Sequence, residues 1–154
     1  MKIGHICLAP ETDAAVVRFA TLIEAFDRLT IEQHVLVTSV PLARRLQSRP
    51  YVTVGPVVRT AVMAYCLMPN VDLVHIHEER GEQAALLLRL TRSIPFVLTV
   101  GDRQDADLNP LSRAVRQRAA RLIPQSYDEP NEILATYRQA IGQPSELPQD
   151  ADCG

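Results

Sequence analysis

The stretch from Val71 to Val100 limits the fold more than any other part of this chain. Val71-Asp72-Leu73-Val74-His75-Ile76-His77 and Ile94-Pro95-Phe96-Val97-Leu98-Thr99-Val100 are apolar runs of strand length, and Ala84, Leu87 and Leu88 recur between them at helical spacing. A strand, a crossover helix and a strand make one βαβ unit, which requires a parallel sheet. Polar residues cluster just beyond the two strand ends, at His77-Glu78-Glu79-Arg80 and at Gly101-Asp102-Arg103. Ligands of open α/β sheets bind outside the carboxyl ends of the strands, so the pattern predicts a cleft there.

The rest of the chain extends the alternation. Lys2–Leu8 reads as a buried first strand, and Pro10-Glu11-Thr12-Asp13 as a turn in which Thr12 or Asp13 caps a helix. That helix carries Ala15, Val16, Phe19, Leu22, Ile23, Phe26 and Leu29 as one stripe. Gln33–Ser39 reads as a second strand and Leu42–Gln47 as a short helix. Tyr51–Val58 reads as an edge or irregular strand, because Pro56 interrupts it. Arg59–Met68 and Leu111–Ala120 read as helices, Asp105–Pro110 as a polar loop and Arg121–Ser126 as the sixth strand. Glu132–Ile141 reads as a closing helix with Ile133, Leu134, Tyr137 and Ile141 on one face, and 143–154 as a disordered tail. The expected architecture is α/β: a three-layer, Rossmann-like, mostly parallel six-stranded sheet with helices on both faces, in a single domain over 1–142.

Composition narrows the function classes. The chain has 154 residues, 47% of them apolar and 22% charged, which fits one globular domain. A net charge of −2 offers no general nucleic-acid surface, and no apolar run reaches the ~18–20 residues of a membrane span. The opening residues read as a strand and not as a secretion signal, so the expected location is the cytoplasm. Cys7, Cys66 and Cys153 show neither metal-ligand nor redox spacing; Cys7 and Cys66 read as small core residues and Cys153 as an exposed thiol. Arg113, Arg116, Arg118 and Arg121 lie in an acid-free stretch, as do Arg44, Arg45 and Arg49. Such surfaces suit lipid headgroups or phosphorylated ligands as a weak peripheral contact, although a solvated helix face is the simpler reading.

The histidine pair is the first candidate for metal chemistry. On the expectation that His75 and His77 point to opposite faces of their strand, with no third ligand spaced nearby, a zinc site is not expected. His77, at the carboxyl end of the strand, is the better functional candidate, against a reading in which both histidines merely pack. Walker loops, nucleophile elbows and cysteine–histidine dyads are absent from the sequence.

The Asp72-apolar-Val74-His75-x-His77 strand, the alanine- and leucine-rich helix and the Ile94–Val100 strand together resemble the N-terminal domain of GT-B glycosyltransferases. The likeness is to the large retaining family that uses nucleotide-sugar donors (family 4-like), and covers roughly residues 1 to 127. Met1-Lys2-Ile3-Gly4-His5-Ile6 and Ala119-Ala120-Arg121-Leu122-Ile123-Pro124-Gln125-Ser126 resemble its first and last strands. The resemblance implies an acceptor-side domain, with acceptor-cleft residues among Glu11, Thr12, Asp13, His77, Glu78, Gly101, Asp102 and Arg103. It also implies that the donor-binding domain, with its paired glutamates, is not in this sequence. The chain is then expected to be inactive alone and without a cofactor, to meet a glycan acceptor, and to work with a separate donor-domain protein or as a homo-oligomer. Two departures matter. The family's glycine-rich first turn is replaced by Pro10-Glu11-Thr12-Asp13, where a missing amide and two carboxylates disfavour a pyrophosphate. The family's histidine after Thr-Val is replaced by Gly101-Asp102. These departures leave an alternative open: a non-catalytic interaction module of the same fold, binding a protein or membrane partner.

Overall fold

Six strands alternate with helices along the chain in a computed structural model that describes residues 1–101, 108–127 and 129–142. The strands are β1 (Lys2–Cys7), β2 (Glu32–Val37), β3 (Val52–Val54), β4 (Leu73–Ile76), β5 (Phe96–Val100) and β6 (Arg121–Pro124). The helices are α1 (Ala14–Arg28), α2 (Val40–Leu46), α3 (Ala61–Leu67), α4 (Glu82–Arg92), α5 (Pro110–Arg118) and α6 (Pro130–Ala140). All strand pairs are parallel, in the order β3-β2-β1-β4-β5-β6. This is the doubly wound Rossmann order, in which the chain reverses direction across the sheet between β1 and β4.

Side chains alternate across the sheet and divide the core in two. Ile6, Leu36, Val74, Ile76, Phe96 and Leu98 face α3, α4 and α5, meeting Ala61, Ala64, Ala84, Leu88 and Val115. Ile3, Cys7, Val35, Val37, Leu73 and Val97 face α1, α2 and α6. The apolar stripe of α1 forms with Val16, Phe19, Ile23 and Phe26 buried, but Leu29, expected to end it, is the helix's C-cap and stands exposed. α6 closes the second face: Ile133, Leu134 and Tyr137 are buried against Ile3, Leu73, Val97 and Ile123, and Ile141 packs at the edge. Its Pro130 occupies the first turn, where no intrahelical N–H is needed.

Most helix starts are capped by the residue just before them. Asp13, Ser39, Thr60 and Asn109 accept bonds from the amides of Ala15, Leu42, Met63 and Ser112, satisfying first-turn N–H groups. β3 is a three-residue edge strand, its pairing ended before Pro56. Two expectations change. Cys66 is exposed, because the short α3 buries Ala61 and Ala64 and turns its other side outward. The Arg44–Arg49 cluster is not acid-free in space, since Arg45 and Arg49 pair with Glu24 of α1 at 2.6 and 3.3 Å. The expected tail over 143–154, with Cys153, lies outside the described residues. Among those described, no helix is long and apolar enough to cross a membrane.

Candidate functional site

Register brings three histidines together. His5 of β1 pairs with His75 of β4, and His77 follows two residues later, just past the end of β4. The expectation that His75 and His77 oppose each other is wrong: a strand repeats every two residues, so side chains at i and i+2 share a face. Their ring centroids lie 3.8 Å apart, and the third histidine comes from the neighbouring strand and not from nearby sequence. His5 Nδ1 and His77 Nε2 are 3.1 Å apart and share a hydrogen bond. His75 Nδ1 bonds the Tyr137 hydroxyl of α6, and His75 Nε2 bonds Thr99 Oγ1 of β5 at 2.7 Å. Phe19 packs edge-on to His77, with centroids 4.7 Å apart, and Phe26 packs edge-on to Tyr137.

Burial dictates the charge state of this cluster. Desolvation disfavours imidazolium, lowering His5 to about 3 and His75 and His77 well below the ordinary histidine value. Repulsion among the three rings adds to the effect for His75 and His77. All three are neutral at physiological pH. Burial also pushes the Tyr137 hydroxyl well above the usual phenol range and the Cys7 thiol up to about 12, so neither ionises.

Two cavities open beside His77 and share Ala15, His77, Thr99 and Gln125. One, of about 240 Å³, lies between α1 and the β6–α6 segment and is mostly apolar, with Val17, Phe19, Leu22, Ile123 and Ile133 in its wall. The other is a polar cleft of about 580 Å³ at the carboxyl ends of the strands. Asp13, Glu78, Glu79, Arg80, Gly101 and Arg116 complete its lining. The sheet order thus places a cleft where the strand-end rule predicts one.

At the floor of that cleft the chain fills its own anion position. Glu78 Oε1 accepts from the Leu8 amide at 2.9 Å, and Oε2 accepts from the Arg80 amide at 2.6 Å. Desolvation raises the Glu78 carboxyl, opposed by these bonds, by the Gly81 amide and by the Arg80 charge. Backbone amides that could hold a phosphate are already satisfied by a carboxylate. Gly81 is required here: an added Cβ would stand 2.9 Å from Ile76 Cγ2.

The residues singled out from the sequence disperse unevenly. Asp13, His77, Glu78 and Gly101 all line the polar cleft. Glu11 and Thr12 stand exposed in the preceding turn, while Asp13 serves α1 as its N-cap. His77, expected on an accessible rim, is only 8% exposed and is held by another imidazole. Asp102 and Arg103 lie outside the described residues. Of the basic surface, Arg113 and Arg118 of α5 and Arg121 of β6 are exposed, whereas Arg116 of α5 is half-buried and turns into the cleft. Sequence reasoning missed His5, Tyr137 and Thr99 as partners of the histidine pair. A histidine inside the otherwise apolar β1 run was the available signal.

No protein-family model and no curated protein matches this sequence. Among solved structures, the fold matches that of Anabaena Alr3699/HepE in complex with UDP and glucose, with a TM-score of 0.57 and 14% identity. The match covers 96% of this chain and 42% of that one, so the chain spans less than half of the solved protein. What the two share is the fold, a Rossmann-like α/β arrangement around an all-parallel six-stranded sheet in this chain.

Proposed function

We propose that this chain is a glycosyltransferase-like, acceptor-side domain that binds a hydroxyl-rich acceptor and leaves the nucleotide sugar to a separate donor-binding unit. The observation that carries this reading is the Glu78 carboxylate on the Leu8 and Arg80 amides at the switch point. A pyrophosphate there would meet a fixed negative charge instead of free N–H groups. The cleft beside it mixes acceptors (Asp13, Glu78, Glu79) with donors (Arg80, Arg116) and two-way groups (Thr99, Gln125), which suits sugar hydroxyls better than a polyanion. The resemblance of the His75–His77 and Ile94–Val100 strands to the GT-B N-terminal domain supports the same reading. So does a fold shared with a protein solved with UDP and glucose. Transfer then requires the donor unit, and the chain alone is inactive.

The test is an amide-resolved NMR titration of the full chain with UDP-glucose and, separately, with short gluco-oligosaccharides. Saccharide should shift the resonances of Asp13, Thr99, Gly101 and Gln125. UDP-glucose should leave Leu8 and Arg80 unmoved up to about 1 mM, a bound worth about 4 kcal/mol. Micromolar UDP-glucose binding centred on Leu8 and Arg80 would overturn the reading. A cleft silent to both ligands would favour the interaction module, for which the exposed Val62, Met63 and Leu67 of α3 are a candidate face.

A further inference from the structure

Acceptor binding leaves the buried imidazoles unexplained, and their arrangement does not depend on that reading. We propose that His5, His75 and His77 form a binding site for a single zinc-class divalent metal ion, with a fourth coordination position opening into the apolar pocket between α1 and α6.

Three features carry this. The first is donor geometry. One ring nitrogen from each histidine lies within 4.8 Å of the others, and His5 Nδ1 and His77 Nε2 are 3.1 Å apart. Tetrahedral zinc with Zn–N bonds of about 2.0–2.1 Å needs its ligand nitrogens about 3.3 Å apart, so this pair already has the required spacing. The register His5↔His75 holds the third ring on the adjacent strand of the same face.

The second is the outer support of His75. The Tyr137 hydroxyl holds Nδ1, as outer partners hold the far nitrogen of metal-binding histidines and fix ring orientation. Nε2 is thereby the ligating atom. It exchanges its present partner, Thr99 Oγ1 at 2.7 Å, for the ion and leaves that hydroxyl beside the open position. His5 lacks such support, since its Nε2 is buried without a partner among the described residues. The site should therefore bind about 10–100-fold more weakly than a fully supported one.

The third is access. His75, His77 and Thr99 line the 240 Å³ pocket, which gives the ion a way in and gives its free position somewhere to face. Neutral imidazole is the ligand form that zinc, copper and nickel share. Three imidazoles with one open position is the ligand count of a zinc that binds water or a small oxygen ligand, not of a closed structural site. Nitrogen-only donors also disfavour calcium and magnesium, which take oxygen.

The test uses the full, tag-free chain, stripped with a chelator and titrated with Zn²⁺ by calorimetry. It should bind one ion per chain, and Cys66→Ser, which removes the exposed thiol of α3, should bind equally. His77→Ala should lose more than about 100-fold in affinity, beyond the loss typical of an outer partner. X-ray absorption of the zinc-loaded full chain needs no substitution and so does not depend on whether a variant folds. It should read three imidazole nitrogens at about 2.0–2.1 Å and no sulfur. Sulfur in the shell, fewer than three imidazoles, or no binding at all would overturn the proposal.

Discussion

The same strands present two different surfaces. Toward α3, α4 and α5, β1, β4 and β5 offer Ile6, Val74, Ile76, Phe96 and Leu98, all apolar and almost wholly buried. Toward α1 and α6, they and the residues just past β4 offer His5, His75, His77 and Thr99, flanked by Ile3, Leu73 and Val97. On these strands the apolar side chains of the first face gain free energy on burial, whereas the imidazoles of the second cost free energy to desolvate. A small domain can meet that cost on one face only if the other holds the fold by apolar burial.

The largest effect expected on the histidine face is acid loss of stability in the metal-free protein. The folded values of His5, His75 and His77 lie below the unfolded value of 6.5, with His5 near 3, so below pH 6.5 the unfolded chain binds more protons. Stability is therefore full above pH 6.5 and falls as the pH drops toward the folded values, by as much as about 1.4 kcal/mol per pH unit for each imidazole. Urea unfolding at pH 7.5, 6 and 5 with chelator present measures this. A midpoint that stays constant from pH 7.5 to 5 would contradict the assignment of three buried neutral rings.

On the apolar face the corresponding probe is Ile76→Ala. Ile76 is fully buried beside Gly81 and Ile6, and its removal leaves a cavity between rigid strands. Loss of about 2–5 kcal/mol is expected, with an unchanged denaturant slope and no change in the acid profile. If this variant also changed the pH dependence, the two faces would not be separable.

How much of this contrast was legible in the sequence follows from the range of each signal. The apolar runs and the α1 stripe are local patterns, and all six strands and six helices follow from them to within a few residues. The cleft also follows, because a βαβ unit implies strand ends pointing one way. His5 and Tyr137 do not follow. Tyr137 is 62 residues from the ring it bonds, and His5 is 72 from His77, so only sheet order and register join them. The mistaken view of His75 and His77 was different in kind, since the period of two was sufficient to place them together. Glu78 is legible as a cleft residue from its place past a strand end, but its bond to the Leu8 amide, 70 positions away, is again a product of register.

Tyr137→Phe tests the link between α6 and the cluster with a smaller expected effect. The ring remains, so packing against Phe26 and His75 is retained, and only the hydroxyl partner of His75 Nδ1 disappears. Leaving a buried ring nitrogen unpaired costs about 1–3 kcal/mol. The substitution should also weaken Zn²⁺ binding while sparing saccharide shifts at Gly101. An effect confined to stability would reduce Tyr137 to a packing role.

The smallest effect, and the sharpest comparison, is expected from His5→Leu. His5 is fully buried, one of its nitrogens has no partner among the described residues, and the other meets only His77. Replacing an incompletely satisfied polar side chain by an apolar one of similar volume removes a desolvation penalty along with the bond, so the two changes oppose each other. The cost is the loss of the His77 partner, softened because His77 reaches the edge of both cavities, where water can replace it. A net change within about 1 kcal/mol, of either sign, is expected in chemical unfolding, and the acid slope should lessen by one imidazole. A loss approaching that of Ile76→Ala would mean that the imidazole is part of what holds the fold. A near-neutral result would mean that this face keeps three buried histidines for something other than stability.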